Sequence, residues 1–419
     1  MYFPFTAIVG QENAKLALLC NAVNPAIGGV LLSGDKGTGK STMVRALADV
    51  LPDIETTGCH FNCNPYSEAE MCEECIKRKE NGDIEVVSKK MRVVDLPLSI
   101  TVDRLVGTID IQKALKEGIR ALQPGILAEA NRNILYIDEV NLLDDYIADI
   151  LLDSAAMGWN IIERESVSLK HPSRFILVGS MNPEEGELRP QILDRFGLFV
   201  KIEASDNVEE RIEIVKRVEE FQADPFAFRK KYEREQKKLR ESVVKAKQMV
   251  NEVEMDEELL KLLAKTIIEN GIKTHRAEIV TAKTAKAIAA LNGRKKVNLE
   301  DLKKAMELAL QHRISLKPFE APKIPKMPES NMHEENSRHE HHGESKMQSQ
   351  TQNQIKGNSE QQFEISDVNL NFNLSRDRNK NGESLRGSRD EKAIVIGHPD
   401  GYQVSNTIPS KTEQLRDID

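Results

Sequence analysis

An α/β nucleotide-binding fold with a parallel sheet, continued by a helical segment and a polar tail, is what this sequence predicts. Three observations carry it. Gly34-Asp35-Lys36-Gly37-Thr38-Gly39-Lys40-Ser41 is a complete G-x-x-x-x-G-K-[ST] phosphate loop. Asn133-Ile134-Leu135-Tyr136-Ile137 is an apolar run that ends in two adjacent acids, Asp138 and Glu139. From Asn207 to Leu316 strand patterns disappear and helical periodicity takes over.

In chain order, Val30-Leu31-Leu32 reads as a short buried strand entering the loop, and an amphipathic helical pattern runs from Ser41 to Leu51 after it. Gly34, Gly37 and Gly39 let backbone N–H groups turn inward around phosphate oxygens, and the helix N-terminus adds its positive end. Lys40 is placed to reach the β- and γ-phosphates, and the Ser41 hydroxyl to ligate Mg²⁺. The implied ligand is a nucleoside triphosphate with its magnesium, held by the loop positions Gly34 to Ser41.

Further strands are expected at Gly29–Leu32, Met91–Val94, Asn133–Ile137 and Phe175–Gly179. A carboxylate at the C-terminal end of a buried parallel strand lies where such a sheet binds its ligand. Asp138 then belongs in the Mg²⁺ shell and Glu139 polarises the attacking water; a solvated acidic turn is the alternative. The run through Met181 ends at Asn182, whose amide can orient that water. Trp159–Leu169 alternates like a hairpin, and its charged tip (Glu163, Arg164, Glu165) fits either a moving part or an ordinary solvated turn. The stretch from Pro225 to Glu241 reads as a solvated helical surface. Glu257–Glu269, His275–Leu291 and Asn298–Gln311 read as amphipathic helices, with Asn292-Gly293 as a stop and Asn298 as a cap.

Length and composition set outer bounds. A chain of 419 residues accommodates two or three domains. The net charge of −8 argues against a general nucleic-acid surface. No run approaches the ~18 apolar residues of a membrane span, and the N-terminus lacks the pattern of a signal peptide; the expectation is a cytosolic protein. Four of the five cysteines crowd into one excursion after the phosphate-loop helix, as Cys59-x₃-Cys63 and Cys72-x₂-Cys75. Pro52, Gly58 and Pro65 make that excursion a loop. Its thiols could close a tetrahedral zinc site, with His60 as a substitute ligand; redox-sensing thiols and unligated contact residues are the other two readings. Cys20, beside Leu16 and Leu19 on an apolar face, is plain core.

The block Asn182-Pro183-Glu184-Glu185-Gly186-Glu187-Leu188-Arg189-Pro190-Gln191-Ile192-Leu193-Asp194-Arg195-Phe196-Gly197 resembles the hallmark of the ATPase I subunit of magnesium chelatase, in the AAA+ superfamily. Asp95-Leu96-Pro97-Leu98, Val106-Gly107-Thr108-Ile109-Asp110, Ile137 to Asp145 and His171-Pro172-Ser173-Arg174-Phe175 are similar to it as well. The resemblance runs from about Phe5 to Glu320; Gly39 departs from it, standing where the family often has Ala. It implies an AAA+ P-loop core over 1–205, a helical lid domain over 206–320 and a disordered tail over 321–419. It also implies Asn182 as sensor 1, Arg195 as an arginine finger reaching a neighbouring subunit's γ-phosphate, and Arg276 as the sensor 2 arginine facing the nucleotide. Local pairing of Arg195 with Asp194 or Glu187 is the alternative. The implied activity is ATP hydrolysis driving metal insertion into a tetrapyrrole, with magnesium or cobalt both open. The implied partners are a homo-oligomeric ring, a D-type subunit with a von Willebrand A-type domain, and a large tetrapyrrole-binding subunit. A MoxR-type chaperone and a non-hydrolysing D-like platform are the alternatives.

The segment beyond Glu320 is rich in Ser, Asn, Gln, Glu and His, the composition of a disordered linker. Four of its histidines lie close together (His333, His339, His341, His342), and adventitious metal binding is the most that composition implies. Gly401-Tyr402-Gln403-Val404-Ser405 and Leu415-Arg416-Asp417-Ile418-Asp419 resemble the linker of D-type or fused subunits. The expectation is an I–D fusion truncated before its von Willebrand A-type domain, or one half of a split gene, with a chance match over so short a stretch as the alternative.

Overall fold

The structure is a computed structural model that describes residues 1–109, 122–164 and 167–314. Asp110, Glu165 and the tail 321–419 therefore lie outside the described residues. Among the described residues there are eleven strands: β1 (Val30–Ser33), β2 (Ile54–Thr56), β3 (Val87–Lys89), β4 (Val93–Leu96), β5 (Gly107–Ile109), β6 (Leu122–Pro124), β7 (Ile134–Ile137), β8 (Trp159–Arg164), β9 (Val167–Pro172), β10 (Ile176–Met181) and β11 (Leu198–Lys201). Five of them form one parallel sheet in the order β11-β1-β10-β7-β4. The remaining pairs, β2–β3, β5–β6 and β8–β9, are antiparallel.

The central strands β1, β7 and β10 are buried along their whole length, as strands covered on both faces must be. Side chains alternate between the two faces. Val30, Leu32, Ile134, Tyr136, Ile176 and Val178 enter one core, while Leu31, Leu135, Ile137 and Leu177 enter the other. The first core is closed by α1 (Glu12–Val23), α2 (Lys40–Val50) and residues of the later helices Glu233–Met249, Arg276–Leu291 and Leu299–Leu310. The last two follow the sequence reading closely, whereas Glu233–Met249 runs past the solvated surface expected up to Glu241 and buries Val243 and Ala246. Asn298 accepts from the Asp301 amide while the Asp301 carboxylate takes the Asn298 amide, a reciprocal cap that fixes where the last helix starts.

Two expectations change. The strand expected at Met91–Val94 lies two residues later, at Val93–Leu96, because its partner Ile134 sits opposite Val93. The cysteine excursion is not simply a loop. It carries β2, β3 and a helix α3 (Glu73–Glu80) whose first turn holds Glu73 and Glu74 and whose last turn holds Lys77, Arg78 and Lys79. Acids at the start and bases at the end complement the helix dipole, a signal that the prolines and glycines around it masked. The hairpin read from Trp159 onward is present as β8–β9, running on to Pro172.

Candidate functional site

The parallel register decides what meets at the C-terminal edge of the sheet. Ser33 pairs with Met181 and Ile137 with Gly179, so Gly34, Asp138 and Asn182 leave adjacent strands side by side. The Gly34 amide donates to the Met181 carbonyl at 3.1 Å. A cavity of about 290 Å³ opens there, lined by the loop from Lys36 to Thr42 together with Asp138, Glu139, Ser180, Met181 and Asn182.

The loop has the backbone that an anion cradle needs. Gly37 and Gly39 have φ of 84° and 85°, and a Cβ on either would meet nothing within 4 Å; their amides are held turned in a conformation that other residues resist. Gly34 is required for a different reason. A Cβ there would lie 2.1 Å from the Ile202 carbonyl oxygen. The Lys40 ammonium donates to the Gly34 and Asp35 carbonyls at 2.5 and 2.8 Å, which holds its charge across the mouth of the loop. Partial burial lowers its pKa, and Asp138, Asp35, Glu139 and Glu185 oppose that. The Thr38 hydroxyl ties back to the Asp35 carbonyl. Ser41 lies at the head of α2, inside the same lining. Turned amides, a cation and a hydroxyl at a helix N-terminus fit a magnesium-bound triphosphate.

Ser180, which the sequence reading missed, organises the acid pair. Its hydroxyl donates to Asp138 Oδ1 at 2.5 Å and accepts the Glu139 amide at 3.3 Å. The Tyr136 phenol adds a second bond to the same Asp138 oxygen at 2.8 Å, and burial raises the pKa of that phenol. Both bonds fall on Oδ1. Glu139 has φ 57° and ψ 55°, a left-handed conformation uncommon outside glycine. Strain of that kind, of order 1–3 kcal/mol, collects at functional sites. Lys36 pairs with Glu185 and lies 3.5 Å from Glu139 Oε1. The hydrogen bond to Glu185, with Glu139 second, raises the Lys36 pKa. Asn182 is buried and lines the cavity, while its Oδ1 accepts the Glu184 amide.

The two arginines singled out by resemblance sit elsewhere. Arg195, at the end of the helix Pro190–Arg195, pairs with Asp153 rather than with Asp194 or Glu187. Asp194 is engaged by Arg313. Arg276 donates to the Arg195 carbonyl at 2.7 Å and does not line the cavity at the phosphate loop. Arg313, unmarked by any motif, is 9% exposed and bonds the carbonyls of Asp194, Phe196 and Gly197. Arg276 and Arg313 thus grip the backbone on either side of Arg195 from two helical-segment positions. Arg45 of α2 meets Asp95 through two bonds of 3.1 and 3.2 Å, giving that acid a partner at the sheet edge.

The four clustered cysteines come together as well. Their Sγ atoms all lie within 4.8 Å of one another, while His60 is exposed and outside the set. Cys20 is fully buried in the first core, and burial pushes its thiol pKa up.

Residues 108–192 match the protein family described as magnesium chelatase, subunit ChlI, and residues 260–335 match the AAA lid domain. A magnesium-chelatase subunit ChlI homolog from Methanocaldococcus jannaschii is 62% identical over 325 residues, covering 77% of this chain and 88% of that one. The chain belongs to the ChlI family of magnesium chelatase. Its fold is accordingly an AAA+ phosphate-loop core followed by a helical lid. ChlI of Cyanophora paradoxa is 50% identical over 320 residues, 76% of this chain and 92% of that one. ChlI of Nostoc sp. PCC 7120 is 49% identical over 321 residues, 76% of this chain and 86% of that one. Among solved structures, a chain of a magnesium chelatase BchI–BchD complex aligns over 75% of this chain and 97% of its own length, at 43% identity and a TM-score of 0.46. Membership in the ChlI family replaces the MoxR-type chaperone reading. No helix of the described residues is long and apolar enough to cross a membrane.

Proposed function

We propose that this ChlI-type subunit hydrolyses MgATP and that the cycle drives magnesium insertion into a tetrapyrrole held by a larger partner. It works in a ring of its own copies that also engages a D-type subunit. The observation that supports hydrolysis is the convergence of Lys40, Ser41, Asp138, Glu139 and Asn182 on one cavity. A non-hydrolysing platform has no use for that full set. The choice of magnesium rests on what the relatives are named for.

The roles follow from placement. The amides from Gly34 to Gly39 bind phosphate oxygens, and Lys40 neutralises charge on them. Ser41 and Asp138 hold the metal's shell, with Asp138 fixed by Ser180 and Tyr136. Bound MgATP supplies the electrophilic phosphorus and a metal-stabilised leaving group. Glu139 takes the proton of the attacking water, and Asn182 orients that water. Arg195 of a neighbouring copy completes the site by stabilising charge on the transferred phosphoryl group, a contribution of roughly 10³–10⁵ in rate in other NTPases. Its pairing with Asp153 is half exposed on the acid side, and exposed pairs of this kind contribute only about 0–1 kcal/mol. Little opposes its release toward a neighbour.

Lys40→Ala is expected to abolish nucleotide binding, and Glu139→Gln to preserve binding while stopping hydrolysis. Steady-state phosphate release and fluorescent-nucleotide titration measure both. Wild-type turnover by the Glu139→Gln protein would remove the assignment of the base. Co-purification of a large tetrapyrrole-binding partner, with its metal preference assayed, tests the chelatase role; a partner selective for cobalt would overturn the choice of magnesium.

A further inference from the structure

The excursion between α2 and β4 has almost no apolar core of its own. Its own buried cluster consists of Cys59, Cys63, Cys72, Cys75 and Met71, with Phe61, Ile76 and Ile84 packed partly against it. One methionine and four thiols are too little apolar surface to hold two short strands and a helix in one arrangement. Something other than hydrophobic burial must fix this segment.

We propose that Cys59, Cys63, Cys72 and Cys75 form a closed structural zinc site, with one Zn²⁺ bound by four thiolates. A tetrahedral ion with Zn–S bonds of about 2.3 Å sets its sulfurs about 3.8 Å apart. Four Sγ atoms that all lie within 4.8 Å of one another are close enough for one such ion to reach them all. Two arms are built to present them. The Cys59–Cys63 arm turns through Asn62, whose φ is 49° and whose amide donates to the Cys59 carbonyl at 3.3 Å, and Thr57 N–H closes the turn on the Cys63 carbonyl at 3.1 Å. The Cys72–Cys75 arm starts α3, with Cys72 as its N-cap residue. The sulfurs also receive the polar contacts that thiolates accept: the Cys72 amide donates to Cys63 Sγ at 3.2 Å, and the Thr57 hydroxyl lies 3.1 Å from Cys75 Sγ. Cys63, Cys72 and Cys75 are at most 4% exposed and Cys59 is 9% exposed, so water has no open coordination position. A closed site of this kind supports the fold and leaves no room for catalysis.

Each thiol gives up its proton to solvent as its sulfur bonds the ion, so four protons leave and the site carries two net negative charges. Arg132 holds a φ of 62° and donates to the Glu55 carbonyl of β2, at the start of the same excursion. The soft donor set selects against magnesium, so the site is separate from the metal that the complex would insert. The sulfurs lie too close together to surround an iron–sulfur cluster. The site is also wired into the ATPase core. Phe61 stacks on His171 of β9 at 4.8 Å, and Asn131 Nδ2, just before β7, donates to the Phe61 carbonyl at 2.7 Å. Zinc would thereby fix one flank of the β8–β9 hairpin.

The test uses the full chain purified without a His tag. Elemental analysis should find about one zinc per chain, released stoichiometrically by a mercurial thiol reagent. The double variant Cys72→Ser/Cys75→Ser should lose it, whereas replacing His333, His339, His341 and His342 with Asn should not. Cobalt added to metal-stripped wild type should give a tetrahedral tetrathiolate spectrum, which decides the matter even if the serine variant fails to fold. A folded, zinc-free wild type with four free thiols or with disulfides would overturn the proposal. So would iron in place of zinc, or zinc that follows the histidines.

Discussion

Ser180 does more at this site than any residue that a motif names. Its single hydroxyl fixes Asp138 and meets the amide of Glu139, so the two acids share one anchor. A hydrogen bond to a charged group contributes about 1.5–3 kcal/mol. Ser180→Ala is therefore expected to slow ATP hydrolysis by about tenfold or more, with nucleotide binding close to wild type because the loop itself is untouched. An unchanged hydrolysis rate would show that Asp138 needs no such support. His312 gives the residue scale a pH signature. It is packed against Phe199, and burial with Arg313 beside it pushes its pKa down to about 3. Below the ordinary histidine value of 6.5 the unfolded chain takes up a proton that the folded chain refuses. Stability should fall as pH drops from about 6.5 toward 3, by up to about 1.4 kcal/mol per unit from this group. Comparing urea midpoints of wild type and His312→Phe at pH 7 and pH 5 checks this: the variant should lose less stability over that interval.

Among the elements, the helical segment is joined to the nucleotide core by a backbone grip as well as by the side chains of the shared first core. Arg313 bonds the carbonyls of Asp194, Phe196 and Gly197, and Arg276 bonds that of Arg195. Removing Arg313 strands several buried acceptors, each costing about 1–3 kcal/mol when left unpaired. Arg313→Ala is expected to lower unfolding free energy by about 2–3 kcal/mol in chemical denaturation, and a loss below 0.5 kcal/mol would contradict the grip. The phosphate loop, the acid pair and the three late helices were legible in the sequence because each is a local signal: fixed spacing, a run with a terminus, or a period with a cap. Ser180, Arg313 and the Asp153 partner of Arg195 were not. Ser180 meets Asp138 only because β10 and β7 run parallel in one particular register, and Arg313 reaches Asp194 across 119 residues. Register and long-range packing leave no mark at either position alone. The helix α3 was hidden for a different reason, since the turn residues flanking it outweighed its charge pattern.

At the scale of the whole molecule, the phosphate-loop cavity holds every proposed hydrolytic group except an arginine aimed at the γ-phosphate. Arg195 and Arg276 lie together, away from that lining. The central proposal is that the missing cation comes from the next copy, so that each active site is shared between two chains. Mixing two inactive variants measures this directly. The Arg195→Ala protein keeps an intact nucleotide pocket, and the Lys40→Ala protein keeps an intact Arg195. Each alone should hydrolyse ATP at a small fraction of the wild-type rate, and phosphate release should recover in part when they are combined. Absence of recovery at every mixing ratio, with co-assembly of the two variants verified, would contradict a site completed in trans.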